Sequence, residues 1–320
     1  MSLEILTPGL ATTVQDRGRF GYYNVGIPQG GAMDQYSAAL GNRLVGNTPD
    51  EAVLECTYLG PGLKTDSDAV VAVTGAPVEV LVNGEPAAQN ARLELRAGDE
   101  LSFGPLRGGA RFYIAVAGGI DVPVALGSRS TYPIGRLGGV NGRAIQAGDV
   151  LPVGTPSGAL PQLDSLPEDL IPEYEREVSV RIMLGLYDHK LTDEGRSNLV
   201  EAEWTLTPVA DRMGLRLDGP GAPWKEGEQP FGAGQDPSNI VDAGYAVGSI
   251  QIPGGTQPII LHRDAVSGGG YAQAGTVISA DMDLVARLAP GSKVRFVPVT
   301  MEEALAARAE RNALLERVWS

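Results

Sequence analysis

Short strand-like segments, bounded by glycine, proline or asparagine, recur along the whole chain and are rich in β-branched and aromatic residues. The clearest are Ala69–Gly75, Val78–Val82, Ala91–Leu95, Glu100–Phe103, Arg111–Ala117, Ser179–Leu184, Trp204–Pro208, Ser249–Ile252, Pro258–His262, Thr276–Ser279 and Val294–Val299. Asn83-Gly84 predicts a tight hairpin after the second segment. Helical periodicity is clear only over Gln35–Val45, Met301–Arg317 and, more weakly, Asp281–Leu288. Because helical crossovers are scarce, the pattern favours a mainly β fold built of barrels.

Two pairs of similar segments predict an internal duplication. Val14–Arg17 resembles Val209–Arg212, and AGDELSFGPL at Ala97–Leu106 resembles PGSKVRFVPV at Pro290–Val299. The members of the two pairs are separated by almost the same number of residues, so both pairs fit one repeating unit. A third copy of the turn that precedes the strand, AGDVLPVG at Ala147–Gly154, would close the first domain.

The segment Gly154–Arg176 between the halves is rich in proline, glycine, serine and acidic residues, which is typical of a linker. We therefore expect an N-terminal barrel domain over residues 1–160, a linker over 161–177, and a C-terminal barrel domain with a terminal helix over 178–320. A chain of 320 residues is long enough for each domain to bury its own core.

The composition argues against several classes of function. The net charge of −14 argues against nucleic-acid binding, which needs a basic surface. With two histidines and a single cysteine, Cys56, we expect neither a metal site nor a disulfide framework. The chain shows no long apolar stretch and no signal-peptide layout, which predicts a cytoplasmic protein that does not bind membranes.

A glycine-rich polar run over Thr13–Asn47 is the first candidate site. It contains Asp16, Arg17, Tyr22 and Asp34 in a loop that leads into a predicted helix. Glycine-rich loops often present polar groups to a ligand, although a long surface connection would have the same composition. This alternative stays open at the level of sequence.

The adjacent pairs Asp16-Arg17 and Asp211-Arg212 occupy equivalent places in the two halves. On a strand, neighbouring side chains face opposite ways, so one member would be solvated while the other caps a turn. Alternatively, each arginine binds a carboxylate or carbonyl oxygen through its guanidinium fork.

A second polar cluster contains Ser128, Arg129, Ser130 and Thr131, followed by further glycines and Arg143. Three hydroxyls around an arginine are suited to hold an oxyanion, and we favour that interpretation. The same hydroxyls also suit a structural role, in which they satisfy backbone groups of the loop.

A third cluster, His262-Arg263-Asp264, follows an apolar strand and precedes a glycine-rich loop. Asp264 would orient His262 or act as a base, whereas a lone histidine is more often structural. Glu51 and Glu55 flank another apolar stretch and are expected to face solvent or a barrel rim.

The run VQDRGRFGY…VGIPQGGAMD…NRLVGN resembles the opening of the KipA-like family. This family comprises the 5-oxoprolinase C subunit, allophanate hydrolase subunit 2 and the C-terminal part of the carboxyltransferase domain of urea carboxylase. VAVTGAP, RFYIAVAGGIDVP, LGSRSTY, ADRMGLRLDGP, GSIQIPGGTQPIIL and GGGYAQAGTVISAD continue the resemblance in order over nearly the whole chain. The resemblance implies a pair of cyclophilin-like β-barrel domains.

The resemblance also implies a function. Such chains pair with a KipI-like chain (the 5-oxoprolinase B subunit), often with a LamB-like chain (the 5-oxoprolinase A subunit), and open 5-oxoproline in an ATP-dependent reaction. ATP would be bound by the complex or by this chain. Two alternatives stay open: a biotin-dependent carboxyltransferase component that acts on urea or a related amide, with biotin on a partner chain, and a KipA-like regulatory binding protein.

The polar positions of the family pattern include those to which we assign catalytic roles, Asp264, Arg129 and Arg17. Substrate-binding roles are assigned to Asp16, Tyr22, Asp34, Asn42, Ser128, Ser130, Thr131, Asp211, Arg212, Gln251 and Tyr271.

The chain also departs from the family pattern in its C-terminal half. Ala210, Val266, Gly268 and Gln273 stand where the family commonly has serine, glutamine, threonine and lysine. The loss of a lysine removes a positive charge that would stabilise an anion. We therefore expect the C-terminal site to have changed substrate or lost chemistry.

Overall fold

The computed structural model describes residues 1–156 and 158–319, which form two compact units. The first unit contains Met1–Phe20, Gly30–Tyr174 and the residues from Leu315 onward, and the second contains Gly21–Gln29 and Glu175–Leu314. The prediction of a mainly β fold is confirmed. The domain limits at residues 160 and 178 stay predictions.

Two antiparallel sheets form the first unit. Its strands are β1 Ser2–Thr7, β2 Thr13–Gln15, β3 Val53–Thr57, β4 Gly62–Thr65, β5 Ala69–Gly75, β6 Val78–Val82, β7 Glu85–Ala87, β8 Arg92–Leu95, β9 Glu100–Leu106, β10 Arg111–Val116 and β11 Val150–Pro152. One sheet has the order β11-β1-β4-β9-β6-β7 and the other β2-β3-β10-β5-β8. As predicted, Asn83-Gly84 turns β6 back onto β7, and Val82 lies opposite Glu85.

The core of the first unit follows the two-residue period of its strands. Leu3 and Ile5 on β1, Val71 and Val73 on β5, and Phe112 on β10 are among its fully buried members. A helix packs against β5 and β10, close enough that a Cβ on Gly41 would lie 3.0 Å from the Thr74 hydroxyl oxygen.

The second unit is built around a closed barrel, in agreement with the barrel prediction. Its strands are β12 Glu177–Leu184, β13 Trp204–Ala210, β14 Gly214–Asp218, β15 Asn239–Gly244, β16 Ser249–Gln251, β17 Ile259–Leu261, β18 Gly268–Tyr271, β19 Gln273–Val277 and β20 Lys293–Pro298. The barrel has the order β12-β19-β16-β17-β14-β13-β20 and closes through a parallel pair of β12 and β20. Strands β15 and β18 form a separate two-stranded ribbon.

The helices are α1 Gln35–Leu44, α2 Asp193–Glu201, α3 Met282–Arg287 and α4 Met301–Trp319. Sequence periodicity predicts all of these except α2, which buries only Gly195 and Leu199 and therefore has almost no apolar stripe. Its start carries a capping signal, because the Thr192 hydroxyl accepts a hydrogen bond from the Gly195 N–H at 2.9 Å. In the described residues, no helix combines the length and the apolar composition needed to cross a membrane.

The three similar turns noted in the sequence share one hydrogen-bond pattern. The side chains of Asp99, Asp149 and Ser292 each accept the N–H of the residue three positions earlier, at 2.7, 2.7 and 3.3 Å. The backbone N–H groups of Asp99, Asp149 and Ser292 in turn donate hydrogen bonds to the carbonyl of that same earlier residue. The preceding glycine has a positive φ of 85–91° in every case. This shared geometry supports the predicted duplication.

Candidate functional site

Asp16 lies at the centre of a polar cluster in the first unit. Its Oδ1 accepts hydrogen bonds from the Gly18 N–H at 2.8 Å, from the Ser128 hydroxyl at 2.6 Å and from the Ser130 hydroxyl. Its Oδ2 accepts the Arg129 N–H at 2.5 Å. We call Asp16, Ser128, Arg129 and Ser130 the Asp16 cluster. The structure thus brings Asp16 together with three consecutive predicted site residues more than a hundred positions later in the sequence.

The hydroxyls of this cluster are already engaged. Ser128 and Ser130 each direct their single O–H donor to Asp16. Their oxygens accept the N–H groups of Ser130 and Asp16, each at 2.9 Å. Because a hydroxyl has only one donor, neither can also donate to a substrate oxyanion in this arrangement. The anion that the serines hold is the protein's own Asp16 carboxylate.

The Arg129 guanidinium is the part of the cluster that remains available to a ligand. Its Nε donates to the Val122 carbonyl at 3.1 Å and its Nη2 to Asp121 at 2.8 Å, and the side chain is 31% exposed. A guanidinium has five N–H donors, so these two bonds leave others for an incoming oxygen. Arg129 therefore keeps the capacity for anion binding that the serines lack here.

Charged side chains surround Arg129. Burial raises the pKa of Glu51; Arg129 opposes this increase, while Asp50 and Asp121 add to it. Arg17 lies 3.3 Å from Asp50, and both side chains are mostly exposed. We call these five residues the rim cluster. This cluster contains both arginines to which catalytic roles are assigned. It also contains half-buried Glu51, which the sequence predicts to face solvent or a barrel rim.

A cavity of about 330 Å³ lies beside Arg129, lined by Val122, Arg136 and the Gly138-Gly139 loop among others. Arg129 contacts two of the residues that line the cavity. Its Nε donates to the Val122 carbonyl, and its own carbonyl accepts the Gly139 N–H at 2.8 Å. A Cβ on Gly139 would lie 1.9 Å from the Thr131 hydroxyl oxygen, so the loop needs glycine there. The cavity offers space for a small ligand; its lining includes Arg136, and Arg129 contacts two of its lining residues.

Three further predicted site residues of the first unit have structural contacts. Asp34 caps α1, with Oδ1 accepting the Ser37 N–H at 3.0 Å and Oδ2 accepting the Ser37 hydroxyl at 2.6 Å. Asn42 donates to the Glu51 carbonyl at 2.9 Å. The Thr131 hydroxyl donates to the Val14 carbonyl at 3.0 Å. All three are buried, and their substrate-binding roles stay predictions.

Glu55 corrects an expectation. It does not face solvent or a rim but is only 1% exposed on β3. Its Oε2 accepts the Tyr113 hydroxyl at 2.9 Å and the Met33 N–H at 2.7 Å, and Arg111 lies 3.9 Å from Oε1. Glu55 and Tyr113 are direct cross-strand partners, and the sequence does not reveal this pairing. Burial raises the pKa of Tyr113, and Glu55 adds to this increase.

In the second unit, Arg212 and Asp264 form a two-pronged ion pair. The Nε and Nη2 atoms of Arg212 lie 2.8 and 2.9 Å from the two carboxylate oxygens, and both side chains are largely buried. Next to Asp264, the His262 ring accepts the Arg263 N–H at Nδ1 (2.9 Å) and lies 3.3 Å from the Met282 carbonyl at Nε2. The structure therefore gives Asp264 a cationic partner that fixes its orientation.

Gln251 and Tyr271 meet around Tyr245. The Tyr245 hydroxyl donates to the Tyr271 carbonyl at 2.9 Å and accepts the Tyr271 N–H at 2.8 Å. Burial raises the pKa of Tyr245, and its hydrogen bonds with the Tyr271 backbone and with the Gln251 side chain oppose that shift. Tyr245 is thus a central polar residue that sequence reasoning missed. The spacing of the strands gave no signal for it.

The remaining predicted residues of the second unit lie in turns. Asp211 is exposed, and its Oδ1 accepts the N–H groups of Met213 and Gly214 at 2.7 and 3.1 Å. Half-buried Tyr22 belongs to the segment 21–29, where its carbonyl accepts two backbone N–H groups. The Asp16 and Asp211 side chains each accept the N–H of the residue two positions later in their own turn. This common pattern fits the duplication.

The positions that depart from the family pattern are also visible. Gln273, in place of a lysine, is buried and donates to the Thr276 hydroxyl. Val266 is 48% exposed, and Gly268 lies on β18. Among the described residues, no group of three or more His, Cys, Asp and Glu side chains is placed to hold a metal ion.

A family model described as "Carboxyltransferase domain, subdomain A and B" matches residues 25–298. The chain belongs to this carboxyltransferase-domain family. The resemblance inferred from the sequence motifs is thereby confirmed, since relatives of the carboxyltransferase domain include the 5-oxoprolinase C subunit and urea amidolyase.

The relatives of this carboxyltransferase domain are of two kinds. The urea amidolyase of Lachancea kluyveri is 35% identical over 98% of this chain, which spans only 18% of that protein. The 5-oxoprolinase C subunit of Escherichia coli K12 is 33% identical over 99% of this chain and 97% of that protein. The crystal structure of Kluyveromyces lactis urea carboxylase superposes with a TM-score of 0.91 at 34% identity, covering 99% of this chain and 29% of that one. All three names are those of enzymes or enzyme subunits.

Proposed function

We propose that this chain is a subunit of an ATP-dependent amidohydrolase of the 5-oxoprolinase type, which opens a lactam together with KipI-like and LamB-like partner chains in the cytoplasm. The observation that carries the proposal is the match to the 5-oxoprolinase C subunit over 97% of that protein, which includes both halves that contain candidate site residues.

Arg129 is the proposed anion-binding residue of the reaction. Opening an amide places negative charge on the carbonyl oxygen, and Arg129 has unused N–H donors and contacts Val122, which lines a cavity. Arg17 adds positive charge to the same rim cluster. Asp16 acts as a positioning residue, because its hydrogen bonds hold the Arg129 backbone in place.

Asp264 is proposed to act as a base within the second unit. Its ion pair with Arg212 uses one lone pair on each carboxylate oxygen and leaves further acceptor sites. ATP supplies the energy of ring opening. The proposal assigns ATP to the complex rather than to this chain alone.

Carboxyl transfer to urea or a related amide is a second candidate. The structural match to urea carboxylase and the description of the family model favour it. In that case biotin would be carried by a partner chain.

The decisive experiment reconstitutes the chain with both partner chains. ADP release is measured with 5-oxoproline, other lactams and urea, and carboxyl transfer from carboxybiotin is measured separately. Release that depends on a lactam supports the main proposal, and transfer to urea supports the alternative. A stable complex with neither activity would contradict both and favour a KipA-like regulatory role.

A matched pair of variants tests the role of Arg129. Arg129→Met should lower kcat about 10²-fold, as the loss of an oxyanion donor does in other enzymes. Arg107→Met is the control, because Arg107 is 71% exposed and lies 3.9 Å from Glu79. Equal activity of the two variants would remove Arg129 from the reaction.

A further inference from the structure

A second cavity, of about 360 Å³, lies entirely within the second unit and takes no part in the site described above. Its lining includes Gln29, Met183, Arg263, Met282, Leu305 and Arg308. The cavity therefore combines apolar walls with two guanidinium groups, in a chain whose net charge is −14. Its volume is in the range of small-molecule sites.

Arg263 is the unusual member of this lining. Its Nε is buried and has no hydrogen-bond partner among the described residues. Its Nη1 lies 3.5 Å from the Gln29 side-chain oxygen, which is the limit for a hydrogen bond. Burial lowers the pKa of the guanidinium; Asp283 opposes this decrease, while Arg311 and Arg212 add to it. A partly buried cation whose Nε lacks a hydrogen bond is costly, and a bound anion would relieve that cost.

The carboxylates nearest to Arg263 already have other partners. Asp264 is held by Arg212 at 2.8 and 2.9 Å. Asp283 is held by Arg311, whose Nε and Nη2 lie 2.7 and 2.6 Å from the same oxygen. Three guanidinium groups thus share two carboxylates in this part of the second unit. Asp283 also attracts Arg263, but two carboxylates leave one of the three guanidinium groups without a carboxylate of its own.

We propose that this cavity binds a small organic monocarboxylate, whose carboxylate pairs with Arg263 and whose apolar body contacts Met183, Met282 and Leu305. The planar guanidinium matches a carboxylate through two parallel N–H bonds. Most of the side chains that line the cavity are apolar, so they favour a carboxylate with an apolar body over inorganic phosphate. Exposed Arg308 attracts the anion to the cavity.

The test is calorimetric titration of the full chain alone, without partners or ATP. Three acids are compared with neutral analogues of similar shape: 5-oxoproline with 2-pyrrolidinone, isovalerate with isovaleramide, and benzoate with benzamide. At least one acid should bind at least tenfold more tightly than its neutral analogue. The choice of 5-oxoproline rests on the proposed function, whereas the other two acids test the cavity independently of it.

Arg263→Met should weaken acid binding at least tenfold. Arg295→Met is the control, because Arg295 pairs with Glu203 on the surface of the same unit at 3.0 Å and should leave binding unchanged. Equal binding of acids and neutral analogues, tighter binding of inorganic phosphate, unchanged binding by Arg263→Met, or no acid binding at millimolar concentration would each overturn the proposal. The comparison of acids with neutral analogues uses the unaltered chain, so it stays decisive even if Arg263→Met fails to fold.

Discussion

Replacing Asp16 by asparagine tests whether its carboxylate holds the first unit together. Oδ1 accepts three hydrogen bonds and Oδ2 accepts the Arg129 N–H. In Asp16→Asn, the less costly orientation keeps the amide oxygen towards the three donors and turns the NH₂ group against the Arg129 N–H. One charge-assisted bond, worth about 1.5–3 kcal/mol, is lost, and the other three become neutral and weaker.

Because Asp16 is partly exposed, we expect Asp16→Asn to lower the free energy of unfolding of the first unit by about 3–5 kcal/mol. For a unit of this size, the midpoint of thermal unfolding should fall by roughly 10 °C. Calorimetry measures the shift, and hydrogen exchange of the β10 amides assigns it to the first unit.

Asp211→Asn provides the matched control in the second unit. Asp211 is exposed and uses only Oδ1, so an asparagine oxygen can keep both of its bonds. The expected loss is below about 1 kcal/mol. If Asp16→Asn costs no more than Asp211→Asn, the hydrogen bonds to Asp16 do not stabilise the unit and the reasoning is refuted.

Tyr113→Phe leaves the buried Glu55 carboxylate without one donor, and should destabilise the first unit by about 2–4 kcal/mol in denaturant titrations; a loss under about 0.5 kcal/mol would contradict this. The hydrogen bond from Arg143 lowers the pKa of Asp149 below its unfolded-state value of 3.8. The Asp149 carboxylate therefore stabilises the fold at a pH above 3.8. This stabilisation is lost as the pH falls through the lower pKa of the folded protein. The stability difference between the protein and Asp149→Asn should therefore be present at neutral pH and shrink in acid, whereas a constant difference would count against the pair. Burial raises the pKa of the Cys56 thiol, so iodoacetamide should alkylate it only after unfolding; mass spectrometry would detect the contrary result.

Local features of the fold were accessible from the sequence because single residues encode them. Asn83 and Gly84 both adopt positive φ, of 52° and 82°, and this is the conformation that makes Asn-Gly a hairpin signal. The turns before β9, β11 and β20 were recognised by their repeated Gly-Asp or Gly-Ser. In each case the interaction spans only a few residues.

The site was less accessible because polar residue types do not reveal their partners. Ser128 and Ser130 fitted an oxyanion site, yet the structure places them on Asp16, more than a hundred positions earlier. Glu55 flanks an apolar stretch, which predicts a place facing solvent or a barrel rim, whereas the structure buries it and Tyr113 donates a hydrogen bond to it across the sheet. Arg263 belongs to the third cluster predicted from the sequence, but only the structure shows that its Nε is buried without a hydrogen-bond partner among the described residues.

The parallel pair of β12 and β20 also bears on how the protein is made. A ribosome releases β12 first among the barrel strands and β20 last, and β20 lies between β12 and β13 in the closed barrel. Until Pro298 has been synthesised, β12 and β13 each keep an uncovered edge, which is the kind of surface on which strands of other molecules pair. A nascent chain halted before Lys293 is thus an open sheet rather than a smaller barrel, and translation speed through the second half decides how long it is at risk of aggregation.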